Sequence, residues 1–272
     1  MSPSSREREY ARRRYEKWQH RQTTKAEQLR EARRRALIVV AAVAGVLAVV
    51  AAVLVYGPDR SPAPTTAAGA GASAGATADP GNPCATPPDA QPASATFPSA
   101  PPASLAEKKA WNLAVETSCG PVAIRLDGAK APQAVASTIF LARKGFWDNT
   151  RCHRLTTKGI YVLQCGDPTG TGGGGPGYSY GPVENAPANN VYPAGTVAMA
   201  RQGGKGDSMG SQFFLVYKDS TIPSDAAGGY SVVGTIVGGL DTVEKVAAGG
   251  VLGGGTDGAP ARAVTITGTT VS

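Results

Sequence analysis

The sequence predicts a mostly-β domain with two helices, an antiparallel barrel or sandwich, held away from a membrane by a Pro- and Ala-rich tether. Three observations carry that expectation. Residues 1–35 hold 12 Lys/Arg against 5 Asp/Glu, while residues 36–272 hold 15 of each, so the whole formal charge of +7 belongs to the N-terminal tail. Residues 36–56 contain no charged side chain at all. From residue 109 onward the chain breaks into short β-rich runs bounded by Gly- and Pro-containing turns, with two helical stretches among them.

The tail, residues 1–35, lacks Gly and Pro after Ser5 and spaces opposite charges three or four apart, as in Glu9/Arg13 and Glu27/Arg30. That pattern predicts a solvated helix with no broad apolar stripe, and no chemistry is assigned to it. Residues 36–56 (ALIVVAAVAGVLAVVAAVLVY) would span roughly 31 Å as a helix, the thickness of a bilayer's hydrocarbon core. A cleaved signal would have a shorter apolar run behind a shorter basic region, so the reading is an uncleaved anchor, with Ala68-Gly69-Ala70 the late small-residue site at which processing would occur. Arg33-Arg34-Arg35 abuts the run and keeps the N-terminus cytoplasmic. Everything after Tyr56 is then extracytoplasmic, in a single-pass plasma-membrane protein. Residues 57–108 hold 11 of the 21 prolines and almost nothing large and apolar, the composition of an extended spacer.

In the outer domain, residues 109–272, strands are expected at 111–117 and 122–126 around a Ser118–Pro121 turn, and a helix at 131–144 with Pro132 at its start and Gly145 after its end. Further strands are expected at 151–155, 161–166, 196–200, 212–217, 230–237 and 263–270, with a second helix at 241–248 opened by Asp241-Thr-Val-Glu244. Neutral charge over residues 36–272 excludes a nucleic-acid partner, which needs its Lys/Arg surplus on the folded surface. The four cysteines lie on the oxidising side of this topology. Of three possible pairings, Cys152–Cys165 suits a tight strand pair and leaves Cys84–Cys119 to pin the tether; free buried thiols are the alternative. No Cys-x-x-Cys exists and His153 is the domain's one histidine, so no metal is expected.

Two motifs fail in context. Gly206-Asp-Ser208-Met-Gly210 matches a nucleophile elbow, but a loop precedes it, a β run follows it, and no histidine comes after the serine. Gly170-Thr-Gly172-Gly-Gly-Gly175 leads into Pro176 and Gly177, where no helix waits to receive a phosphate.

Three segments remain: Cys152-His153-Arg154-Leu155 with Val162-Leu-Gln164-Cys-Gly-Asp167, then Gly195-Thr-Val-Ala-Met199-Ala-Arg201, then Gly210-Ser-Gln212-Phe213-Phe214-Leu215. In this order and spacing the chain resembles the cyclophilin family of peptidyl-prolyl cis-trans isomerases over about 160 residues. The resemblance implies a closed eight-stranded antiparallel barrel capped by two helices, with an outer groove for an X-Pro segment. It puts the catalytic arginine at Arg154, groove residues at Tyr161, Val162, Gln164, Gln212 and Phe214, and backbone contacts around Ala200 and Arg201. Where family members often have Trp-Leu and later His, this chain has Thr221-Ile222 and Tyr230, and Ile222 and Tyr230 would wall the proline pocket.

The chemistry suits these residues. Rotation about an X-Pro bond faces roughly 18–20 kcal/mol because the imide C–N bond is partly double. At 90° of twist the lone pair returns to the proline nitrogen, and a guanidinium donor aimed there binds the twisted state better than either planar one. No nucleophile, cofactor or metal is required. The expected partners are proline-containing polypeptides and, through residues 36–56, the membrane, and the chain is expected to act as a monomer. The alternative is a membrane-tethered, non-catalytic proline-peptide binding or chaperone module that keeps the groove without turnover.

Overall fold

The computed structural model describes residues 84–85 and 95–272. The tail 1–35, the anchor 36–56 and most of the tether lie outside the described residues. Among the described residues no helix is long and apolar enough to cross a membrane.

The strands are β1 (Ala110–Thr117), β2 (Val122–Asp127), β3 (Thr150–Arg151), β4 (Arg154–Thr156), β5 (Val162–Cys165), β6 (Val191–Tyr192), β7 (Thr196–Met199), β8 (Phe213–Val216), β9 (Ser220–Thr221), β10 (Val232–Gly238), β11 (Asp257–Gly258) and β12 (Thr265–Val271). Two helices, α1 (Pro132–Arg143) and α2 (Leu240–Ala248), complete the domain. Ten strands form one sheet in the order β11-β4-β5-β8-β7-β10-β2-β1-β12-β3, and β6 pairs with β9 alone. Every pairing is antiparallel.

This corrects the expectation of a closed, eight-stranded barrel. The hydrogen-bonding order is that of an open half-barrel, and the count rises by two for identifiable reasons. The run expected at 151–155 divides into β3, which pairs with β12, and β4, which pairs with β5, because Cys152 and His153 between them turn toward different partners. The other addition is β11, whose two residues pair with β4. A two-residue strand carries no periodic signal, so pattern reading passes over it.

Strand alternation builds two cores from one sheet. On β1 and β2, Trp111, Leu113, Val115, Val122, Ile124 and Leu126 face in while their neighbours face water. The central strand β8 is apolar on both faces, and β5 and β7 are so apart from Gln164 and Thr196. Leu163, Val197, Met199, Phe213 and Leu215 join the main core, whereas Val162, Ala198, Phe214 and Val216 form a second, smaller cluster with Tyr192 and Ile222. Continuous apolar runs such as FFLV follow from burial on both sides.

Helix α1 starts at Pro132 without a side-chain cap of its own. Glu184 supplies the cap from 50 residues away, its carboxylate accepting from the backbone N–H of Gln133 at 3.0 Å and of Ala134 at 2.9 Å. Helix α2 begins one residue before its expected start, after a left-handed Gly239, and Asp241 is not its cap but a first-turn residue paired with Lys245 at 2.8 Å.

The stretch expected as tether up to residue 108 is packed from residue 95 onward. Phe97 meets Phe140 edge-on at 4.8 Å, a 3-10 turn spans Ala103–Ala106, and the indole of Trp111 donates to the Ala106 carbonyl at 2.9 Å. Cys84 is bonded to Cys119 and Cys152 to Cys165, leaving no free cysteine among the described residues.

Candidate active site

The sheet register lays a row of side chains across four strands. Arg154 on β4 lies opposite Gln164 on β5, Gln164 opposite Phe214 on β8, and Phe214 opposite Ala198 on β7. With strands about 4.8 Å apart the row runs roughly 14 Å, enough for a few residues of extended peptide. Above it lies a groove of about 450 Å³ whose apolar floor is Val162, Phe214 and Ile222, with Tyr230 and Ala200 on one side and Arg154 and Gln164 on the other. The Phe214 and Tyr230 rings meet edge-on with centroids 5.5 Å apart.

Arg154 is a half-buried guanidinium held on two sides. Its Nε donates to Asp257 Oδ1 at 2.7 Å and its Nη2 to Asp257 Oδ2 at 2.8 Å, while Nη1 reaches Gln164 Oε1 at 3.3 Å. The hydrogen bond to Asp257 raises the arginine pKa further, and the same bond holds the Asp257 carboxyl below its ordinary value. His153 also lines the groove. Burial pushes its pKa down, the charge of Asp167 opposes that, and Arg154 adds to it, so the ring is neutral at pH 7.

Two residues expected in the groove sit elsewhere. Tyr161 points away: its ring packs edge-on against Tyr217 at 6.0 Å with the Lys218 ammonium 4.8 Å above it, in a separate cavity. The reason is the two-residue period, since Ile160 and Val162 both line the groove and the residue between them faces the opposite side. Gln212 borders a neighbouring cavity of about 260 Å³. It acts as a strut, accepting from Gln164 Nε2 at 2.9 Å and donating to the carbonyls of Gly172 at 3.0 Å and Gly174 at 2.8 Å.

The glycine-rich loop at 170–175 is thus fastened at both sides. Burial would raise the Asp167 carboxyl pKa, but hydrogen bonds from Thr169 and from the backbone of Gly174 and Gly172 outweigh it and hold the group ionised. A Cβ on Gly174 would collide with that carboxylate, which explains why the position is glycine. Ser208 has no catalytic setting: its hydroxyl donates to the Lys205 carbonyl at 2.8 Å and accepts from the Gln202 N–H at 2.8 Å, closing a surface turn.

Arg201 contributes its backbone to the groove side, and its side chain is a structural post. The guanidinium, 0% exposed, forks onto Asp225 at 3.0 and 2.9 Å, donates to the carbonyls of Gly229, Gly228 and Gln202, and lies 4.8 Å over the Tyr230 ring. These bonds hold the Asp225 carboxyl well below the usual carboxylate range. Among the described residues, no three His, Cys, Asp or Glu side chains are grouped to share a metal ion.

Residues 112–271 match the family described as cyclophilin type peptidyl-prolyl cis-trans isomerase/CLD. The chain belongs to this family. It is 45% identical over 168 residues to the probable peptidyl-prolyl cis-trans isomerase B of Mycobacterium tuberculosis, covering 57% of this chain and 53% of that protein. It is 46% identical over 162 residues to the Mycobacterium leprae protein of the same name, covering 55% and 53%. The chain thus spans about half the length of these curated relatives. Its fold is similar to a cyclophilin type peptidyl-prolyl cis-trans isomerase of Cryptosporidium parvum crystallised in the presence of the dipeptide Ala-Pro, with TM-score 0.50 and 25% identity over 59% of this chain and 98% of that one.

Proposed function

We propose that the domain catalyses cis-trans isomerisation of X-Pro bonds in extracytoplasmic proteins. The observation that carries this reading is the placement of Arg154 at one end of an apolar pocket floored by Val162, Phe214 and Ile222 and walled by Tyr230. Its apolar floor suits the hydrocarbon face of a proline ring. Of the five N–H donors of Arg154, three are engaged by Asp257 and Gln164, leaving one on each terminal nitrogen for the substrate. Such a donor favours the pyramidal imide nitrogen of the twisted state over the planar nitrogen of either ground state. Gln164, fixed by Gln212 and Arg154, offers amide groups to the substrate backbone. Membership of the isomerase family and the likeness to a cyclophilin type isomerase crystallised in the presence of Ala-Pro support the same reading.

The test is isomerisation of a short X-Pro peptide by the wild type and Arg154→Ala. A fall of ~10²-fold or more in catalytic efficiency is expected, since a charge-assisted bond made chiefly in the transition state is worth ~2–4 kcal/mol. An active Arg154→Ala enzyme would overturn the mechanism.

The apolar run 36–56 behind Arg33-Arg34-Arg35 supports a membrane-anchored arrangement with the domain outside. Protease added to intact cells is expected to release the domain while a tag at Met1 stays protected; loss of that tag would reverse the topology.

A further inference from the structure

Asp257 sits 103 residues after Arg154, in a stretch so rich in glycine that its sequence suggests nothing but loop. The structure makes that stretch a built object. Val251 bridges Pro260, the Leu252 N–H donates to the Ala259 carbonyl at 2.8 Å, and the Ala261 N–H to the Gly250 carbonyl at 2.9 Å. Gly253 and Gly254, both at positive φ, make the turn. The returning arm then joins the sheet. Asp257 pairs with Thr156 and Gly258 with Leu155, and the Thr157 N–H reaches the Thr256 carbonyl at 2.9 Å. The backbone carrying Asp257 is therefore zipped to the same strand that carries Arg154. From there the carboxylate takes the Nε and Nη2 edge of the guanidinium in a two-bond fork at 2.7 and 2.8 Å.

Building on the reading of Arg154 as the catalytic donor, we propose that Asp257 is its positioning residue, a clamp that fixes the guanidinium plane and leaves the free N–H groups facing the groove. A fork–fork pair has one planar solution, whereas an unclamped arginine samples many rotamers. Gln164 alone cannot supply this, because its single contact at 3.3 Å is the longest of the three and leaves rotation about that contact free. The clamp leaves both donors that meet the substrate unspent, so Asp257 orients the arginine without competing for the twisted imide. Its contribution belongs to kcat, because orientation toward the reacting nitrogen matters most in the transition state.

The test uses the full-length chain. Asp257→Asn keeps the shape and loses the charge-assisted fork; kcat for an X-Pro peptide is expected to fall about 10-fold, equivalent to ~1.4 kcal/mol, with KM within twofold. The Arg154 Nε–H, bonded to Asp257, is expected to give a slowly exchanging resonance in the wild type that broadens or moves in Asp257→Asn and is recovered in Asp257→Glu along with most of the activity. Placed on an Arg154→Lys background, Asp257→Asn should cost nothing further. Wild-type kcat in Asp257→Asn, an unchanged Nε–H resonance, or an equal further loss on the Arg154→Lys background would each overturn the clamp while leaving the isomerase reading intact. Full activity in Arg154→Ala would overturn that reading and the clamp with it.

Discussion

Two arginines border the same groove and are held in opposite ways. Arg154 has one carboxylate partner, and its side chain is 39% exposed. Arg201 has a carboxylate, the carbonyls of Gln202, Gly228 and Gly229 and the face of Tyr230, with 0% of its side chain exposed. The first keeps donors in reserve and the second spends its donors on the fold. The difference teaches that charge near a groove does not distinguish the two; the count of uncommitted N–H groups does, and the proposed role of Arg154 rests on that count. Arg201 works at one remove, by holding the Gly228–Gly229 backbone and hence the Tyr230 wall.

The most severe break in this comparison is Arg154→Ala, whose activity loss of ~10²-fold should come with a melting temperature near that of the wild type, because a partly exposed ion pair contributes little to stability. Opening Cys152–Cys165 by a double alanine substitution strikes the Arg154 side alone. It frees a loop of sequence separation 13, worth about 3 kcal/mol in the chain-entropy model, and calorimetry should show a loss of ~6–12 °C with reduced activity. Arg201→Ala should invert the Arg154 pattern. Three lost carbonyl bonds at about 1 kcal/mol each predict a drop of ~6–12 °C, with activity impaired less than in Arg154→Ala. If Arg201→Ala were the less active of the two, the two arginines would not divide the work in this way.

The smallest effect is a pH dependence. The folded pKa of His153 lies below its unfolded value of about 6.5, so the unfolded chain binds more protons once pH drops below that value. Stability should be full above pH ~6.5 and decline as pH falls toward the depressed folded pKa, before the lowered Asp167, Asp225 and Asp257 carboxyls titrate. Urea melts of the wild type and His153→Gln should differ in slope only within that window.

The parts of the molecule legible in the sequence are those whose signal is local. The alternation of Trp111, Leu113 and Val115 announces β1, and Pro132 with Gly145 brackets α1. Arg154, Gln164 and Phe214 fall into one row because each sits on a strand whose register follows from burial. What escaped depends on pairing across long separations. Nothing near Asp257 points to Arg154; the sole clue is that it is the only acidic residue after Glu244. Asp225 lies in a Pro- and Gly-flanked loop with no period, and Glu184 caps a helix 50 residues upstream. The outward turn of Tyr161 comes from the hairpin, where Ile160 bridges Lys158 through the positive-φ Gly159, so the side-chain alternation puts Ile160 inward.

The Cys84–Cys119 bond has a mechanical meaning. Cys119 lies in the turn between β1 and β2, and the Ala85 N–H also reaches the Ser118 carbonyl there at 2.7 Å. Tension arriving along the chain from the N-terminal side therefore enters the domain at that turn, and the 35-residue loop between the two sulfurs bears none of it. Residues 95–108, with Phe97 seated against Phe140, are shielded from any pull, so a domain towed by its N-terminus keeps that flank docked. The same bond makes the loop a closed covalent ring: a single peptide cut inside it leaves one molecule, and only a cut together with a reductant makes two.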